Sequence, residues 1–386
     1  MPCPRSLSRR QALLSLGASA AAVAVPPLRA AGASVAIARC KTYGAELAPV
    51  MARLFDQLGG LGGMVKGKTV AVKVNMTGGA TWRLGQKPAE LTHYTHPATL
   101  GVLIDQLGRA GARRVRVLEC AFQTAEPLEE FMFESGWDVA ALRTAGARVE
   151  FENTNHLGLG KRYVRMPVPG GGLLFPSYEL NHSYQDCDFL ISLAKLKEHV
   201  TAGITLSMKN MFGITPCTIY GDGSPADEPS EDPKGGRGAV FHNGERQPTK
   251  IAAPELDPNS SRDAGYRVPR AVVDLCAARP IDLAIVDGIE TMAGGEGPWC
   301  GPATRPVAPG VILAGRNPVS TDAVGAAVMG FDPMSDRGRT PFETSDSTLV
   351  LAENRGLGTR DLRRIEILGT PIREVLFPFR RRTQAG

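Results

Sequence analysis

Short apolar, β-branched runs alternate along this chain with segments of helical period. Val35 to Ala38 reads as a strand. Leu47, Val50, Met51, Leu54, Phe55 and Leu58 then recur at the spacing of one helix face. Thr69 to Asn75 is a strong strand, and Pro97 suits the first turn of a helix lined by Leu100, Leu103, Ile104 and Leu107. Val115 to Leu118 follows as a strand, Val139 to Ala145 as a weaker helix, and Arg148 to Phe151 as a strand. Tyr163 to Val168 and Leu173 to Tyr178, joined by Gly170-Gly171-Gly172, predict an inserted β-hairpin. The alternation resumes with a buried strand from Phe189 to Leu193, a helix within Thr201 to Met211, a helix from Val268 to Ala278 and a strand from Asp282 to Val286. A strand from Val311 to Ala314, a helix from Asn317-Pro318 to about Met329 and a strand from Ile365 to Leu368 complete it. This order predicts an α/β fold with a mainly parallel sheet and helices on both faces. Residues 34–386 are expected to form a single domain. One segment breaks the rhythm: residues 215–266 are rich in Pro, Gly, Asp and Ser, and read as a lid or an excursion over a crevice.

The N-terminus changes the picture of where the protein works. Ser8-Arg9-Arg10-Gln11-Ala12-Leu13-Leu14 resembles a twin-arginine signal, an apolar run extends to Val25, and Ala31-Gly32-Ala33 offers a cleavage site. Residues 1–33 are therefore expected to be a signal peptide read by the twin-arginine translocon, giving a periplasmic or otherwise exported protein. The apolar run is too short to span a bilayer comfortably, and no later run predicts a membrane span. The formal net charge is only +5, and no basic block supports a nucleic-acid partner. Beyond the signal lie Cys40, Cys120, Cys187, Cys217, Cys276 and Cys300, with no C-x-x-C pair, so no iron–sulfur cluster is expected.

Candidate chemistry comes from position. In open parallel sheets, ligands bind beyond the carboxyl ends of the strands. Lys73 and Asn75 end one strand here, Glu119 the next, and Asp287 another, while Lys195, Lys197 and His199 follow Leu193. Lys209 and Asn210 come soon after, and His96 stands at a helix start where ring and backbone donors face an anion. Four lysines with amide and imidazole partners suit a carboxylate or phosphate, and crowding lowers a lysine's pKa toward a nucleophile or base. Lys209, His199 and Glu119 are thus the candidate catalytic residues. Lys73, Asn75, His96, Lys195, Lys197, Asn210 and Asp287 are the candidate ligand-binding ones. His199 and His242, with Glu119, form a candidate metal set. His93, His156 and His182 read as incidental. The glycine-rich Met292 to Pro298 reads equally as a ligand wrap or a flexible turn.

Several motifs carry a resemblance. Val72-Lys73-Val74-Asn75, His96-Pro97, Ser192 to His199, Ser207 to Ile214, Ile285 to Ile289 and Asn317 to Ala323 resemble the domain-of-unknown-function 362 family over nearly the whole mature chain. The pattern resembles the twin-arginine-exported branch without a ferredoxin-like segment. More distantly, His199, Lys209 and His242 are similar in layout to the nickel-pincer lactate racemases. That layout implies an acid/base histidine, a lysine-linked cofactor and a metal-binding histidine. Three functions follow as expectations: an enzyme acting on a small anionic compound, a non-catalytic periplasmic binding protein, and a cofactor- or metal-dependent isomerase.

Overall fold

The structure is a computed structural model that describes residues 33–146, 148–155, 162–233 and 235–380. Most of the expected export signal, and His156, lie outside the described residues. In chain order the strands begin with β1 (Ser34–Arg39), β2 (Thr69–Lys73), β3 (Arg114–Glu119), β4 (Arg148–Asn153), β5 (Tyr163–Pro167), β6 (Ser177–Asn181) and β7 (Phe189–Lys195). They continue as β8 (Lys197–His199), β9 (Gly203–Thr205), β10 (Leu283–Gly288), β11 (Thr291–Ala293), β12 (Arg305–Val307), β13 (Val311–Gly315) and β14 (Glu366–Gly369).

Eight of these strands build one sheet in the order β14-β1-β13-β10-β7-β2-β3-β4. Only β13 opposes its neighbours β1 and β10; every other pair in the sheet is parallel. The inserted hairpin is β5 with β6, and its second strand begins later than the apolar pattern suggests.

Both faces of the sheet are buried, and side chains alternate between two cores. In β2, Val70 and Val72 join the core beneath the helices Leu47–Gln57 and Pro97–Arg109, while Ala71 joins the opposite one. In β10, Leu283 and Ile285 face the first core and Ala284 and Val286 the second. Strands covered on both sides must be apolar at every position, which is why they read as continuous runs. The second core is covered by the helices Ala264–Ala278 and Pro318–Val328 and by the turn of helix Ser207–Asn210.

The helix expected within Thr201 to Met211 is present but is a single turn. Strand β9 occupies Gly203–Thr205, and one helical turn covers Ser207–Asn210. Gly203 sits at φ +74°, and a Cβ there would lie 2.5 Å from the Phe342 ring, so a helix cannot run through it. Residues 215–266 are firmly anchored: Phe241 packs against Phe175, Phe212 and Tyr220, and buried Arg267 pairs with Glu255. None of the described helices is long and apolar enough to cross a membrane. The six cysteines past the signal are free thiols, all buried except partly exposed Cys300.

Candidate functional site

Beyond the carboxyl ends of β2 and β3, a cavity of about 360 Å³ opens between the sheet and the inner side of the 215–266 segment. Four cationic side chains line it, Lys73, Lys197, Lys209 and Arg237, against two carboxylates, Glu119 and Glu296. Asn75, His199, Asn210 and His242 also face it.

The floor is a buried ion pair. Lys73 Nζ lies 2.7 Å from Glu119 Oε1, and both side chains are almost wholly excluded from solvent. Lys73 also donates to the Val74 carbonyl at 2.6 Å and to Asn210 Oδ1 at 3.2 Å. Glu119 accepts from the backbone N–H groups of Met76 and Cys120. Burial raises the Glu119 pKa, and the Lys73 charge works against that rise. With three donors on its two oxygens, Glu119 is engaged in holding Lys73. A Cβ on Gly213 would sit 2.9 Å from Lys73 Nζ and 3.2 Å from Glu119 Oε1, so this backbone closes tightly over the pair.

Two further lysines are poised differently. Lys197 donates to the carbonyls of His93 and Glu296, and burial lowers its pKa to about 7. Lys209 is partly exposed, with its amine 4.2 Å above the Phe212 ring. Burial lowers its pKa to about 8; the nearby Glu296 opposes the shift, while Arg237 and Lys73 add to it.

His199 is a neutral donor. Its Nδ1 accepts from the N–H groups of Thr201 and Ala202 at 3.1 and 3.3 Å, which assigns the ring proton to Nε2. Burial brings its pKa down to about 3. Glu296 lies 3.7 Å from that ring, and the Val200 N–H donated to its Oε2 at 2.9 Å favours the carboxylate against the cost of burial.

Arg237 anchors through Nε to the Thr215 carbonyl at 2.6 Å, while its buried Nη2 has no hydrogen-bond partner among the described residues. Asn75 Oδ1, Thr205 Oγ1 and His242 Nδ1 are likewise buried and unpartnered, and all four residues line this cavity. Native proteins satisfy nearly all buried polar groups, and these four residues share the wall of one cavity.

Lys195, Asp287 and His96 are not brought to the cavity. Lys195 pairs with Asp287 at 3.1 Å on the adjacent strand, and Tyr43 accepts from Lys195 and donates to Asp287. His96 stacks on Tyr43 at 3.5 Å and caps its helix by accepting from the Ala98 N–H. Lys195 Nζ also holds the Glu90 carbonyl, so this cluster braces the loop whose His93 carbonyl receives Lys197. No group of three His, Cys, Asp or Glu side chains among the described residues could hold a metal ion. Glu119 is committed to Lys73, which leaves His199 and His242 of the candidate metal set.

The model of the domain of unknown function named DUF362 matches residues 70–327, a stretch that contains every residue placed above in the cavity. The chain belongs to the DUF362 family. A thylakoid-associated protein of Synechocystis is 26% identical over 191 residues, covering 47% of this chain and 51% of that protein. The DUF362 chain thus spans about half the length of this curated relative. Among solved structures it is similar to the lactate racemase apoprotein from Thermoanaerobacterium thermosaccharolyticum, with a TM-score of 0.35, 12% identity, and coverage of 67% of this chain and 50% of that one. A structural-genomics protein from Thermotoga maritima gives a TM-score of 0.34 at 15% identity, over 66% and 52% of the two chains.

Within the DUF362 chain, Arg237, Glu296, Thr205 and the aromatic residues at the cavity escape a reading based on strand ends. Thr205 ends the short strand β9, and Arg237, Glu296, Trp82, Phe122 and Trp299 come from segments outside the strands. The available signals are an arginine set among glycines, in Gly235-Gly236-Arg237-Gly238, and an acid in the glycine-rich run 292–298.

The turn carrying Lys209 is fixed from a distance. Asp322 accepts from the N–H groups of Ser207 and Met208, each at 2.9 Å, and from the Ser207 hydroxyl. Asp322→Asn turns one acceptor into a donor facing an N–H. A loss of about 1–2 kcal/mol in urea unfolding is expected. An unchanged midpoint would show that this cap does not hold the turn.

Proposed function

We propose that the cavity binds a small organic anion, carboxylate or phosphate, and that the protein is an enzyme moving a proton on it through Lys209. The observation that carries this reading is the ring of unpartnered buried polar atoms at Asn75, Thr205, Arg237 and His242, set among four cationic side chains and two carboxylates. Arg237 and the lysines supply the anion's counter-charge, and Asn75 Oδ1 calls for a donor on the same ligand. Neutral His199 supplies an N–H for charge that develops during the reaction. Lys209, with a pKa of about 8, exists near neutrality as both amine and ammonium, the condition for taking and returning a proton. The pattern of residues 1–33 supports export by the twin-arginine route, which places this activity in the periplasm or outside the cell.

Sulfate tests the charge logic because its own charge is constant across neutral pH. Anion binding favours the protonated lysine, so affinity is present below the lysine pKa and lost above it. Calorimetry is expected to show sulfate affinity falling about tenfold or more between pH 7 and pH 9 as the Lys197 and Lys209 ammonium groups are lost. Lys209→Met is expected to weaken binding and flatten that fall. A wild-type protein indifferent to pH, or to sulfate altogether, would reject the reading.

A second reading, a lysine-linked cofactor with a metal, draws support from His199, Lys209 and His242 lining one cavity. Lys209 would tether the group, and the protein would offer the metal at most His199 and His242. The remaining ligands would come from the tethered group, which would supply the redox or acid/base chemistry of an isomerase. Intact mass of the protein from its native host decides it: an unmodified chain ends this reading and leaves the first untouched.

A further inference from the structure

The cavity has a second chemical character that charge does not explain. Its rim is aromatic: Trp82 and Trp299 meet edge to face with centroids 5.1 Å apart, and Phe122 lies 5.6 Å from Trp82. The two indoles are 41% and 42% exposed, an unusual state for large apolar rings at a cavity edge. They are also held in place. A Cβ on Gly78 would fall 2.6 Å from Trp299 and 2.8 Å from Trp82. One on Gly79 would fall 2.8 Å from Trp82, and one on Gly297 2.1 Å from Trp299. Three glycine backbones thus lie flat against the rings, and His93 meets Trp299 edge-on at 5.8 Å. A rim that served only to admit a small hydrophilic anion would need none of this.

Resting on the anion reading, we propose that the ligand carries its negative group on a planar aromatic ring. The anionic head goes to Lys209 and Arg237, and the ring packs against Trp82, Trp299 and Phe122. Aromatic rings prefer offset-stacked or edge-to-face contacts, and a partly exposed, positioned indole pair presents both faces and edges to such a ring. The lining therefore divides into a polar inner part that selects charge and an aromatic outer part that selects the body of the molecule, the usual division in small-molecule sites.

Phenyl phosphate, inorganic phosphate and phenol separate the two contributions. The chain has three tryptophans, and Trp137 is buried in the core away from the cavity lining, so a ligand-induced change in indole fluorescence reports chiefly on Trp82 and Trp299. With the full chain, phenyl phosphate is expected to bind about tenfold more tightly than inorganic phosphate and to change the indole emission. Phenol is expected to bind more weakly than phenyl phosphate. Trp299→Leu should bring phenyl phosphate down to the affinity of inorganic phosphate while leaving the latter unchanged. Trp82→Leu provides the same comparison if the first variant does not fold. Equal wild-type affinities for the two phosphates would overturn the aromatic proposal and leave the anion reading standing. Phenol binding as tightly as phenyl phosphate would overturn it as well. Failure of both phosphates to bind folded protein would bring down the anion reading and this proposal with it.

Discussion

Replacing Lys73 with methionine is expected to destabilise the protein by about 3–5 kcal/mol, seen as a lower urea midpoint at unchanged slope. Lys73 and Glu119 form a 2.7 Å pair from which water is excluded. Methionine fills the volume but leaves Glu119 with only the Met76 and Cys120 N–H groups as donors. A buried carboxylate that loses its counter-ion escapes by taking up a proton, so its folded pKa, already raised by burial, rises further. A raised folded pKa gives stability that is present below the unfolded value and lost as pH increases. The deficit of Lys73→Met is therefore expected to be small near pH 4 and to grow through neutrality. Lys73→Met/Glu119→Gln removes the charge while keeping an acceptor, and should recover a large part of the loss. A single variant as stable as wild type at pH 8 would mean the pair does not hold the cavity floor.

The same residues show what a one-dimensional reading reaches and where it stops. Continuous apolar strands announce a doubly covered parallel sheet, and polar residues at their carboxyl ends point to candidate site residues, because ligands of open parallel sheets bind beyond those ends. The face on which each lysine emerges is harder to see, although it too is encoded. Side chains alternate along a strand. Lys73 shares parity with Ala71 and so faces the core side where the Ser207–Asn210 turn lies. Lys195 shares parity with Ile191 and Leu193, and Asp287 with Leu283 and Ile285, which places both on the opposite side. Two clusters of strand-end charges thus form on two faces, and grouping the lysines by chain order alone merges them. The two-residue period separates Lys73 from Lys195 and Asp287, but not Glu119, which shares parity with Val115 and Val117 and still turns back to pair with Lys73 at 2.7 Å.

Other features have no local signal. The single turn that carries Lys209 is capped by Asp322, more than a hundred residues downstream, so its brevity cannot follow from its own propensities. The positive φ of Gly203 and its closeness to Phe342 act in the same way. Glu296 and Arg237 reach the cavity from glycine-rich loops whose path is set by packing, with Phe241 and Arg267 as anchors, and no periodicity marks their direction.

Arg237 is where function and stability should part most clearly. Arg237→Met is expected to lower sulfate affinity by about 10- to 100-fold, the worth of a charge-assisted hydrogen bond in a desolvated site. The same substitution is expected to leave thermal stability equal or slightly higher. The guanidinium donates through Nε to the Thr215 carbonyl and also interacts with Cys120 and Glu119, but its Nη2 is buried without a hydrogen-bond partner among the described residues, which costs free energy in the unliganded protein. Methionine keeps the apolar stem and removes that cost. A purely structural arginine would give the reverse, a loss of stability with affinity unchanged. Arg237→Lys should fall between the two in affinity, because a lysine restores the charge but not the planar fork. Opposite signs in the two measurements are therefore the signature of a residue kept for its ligand, and parallel losses would return Arg237 to the scaffold.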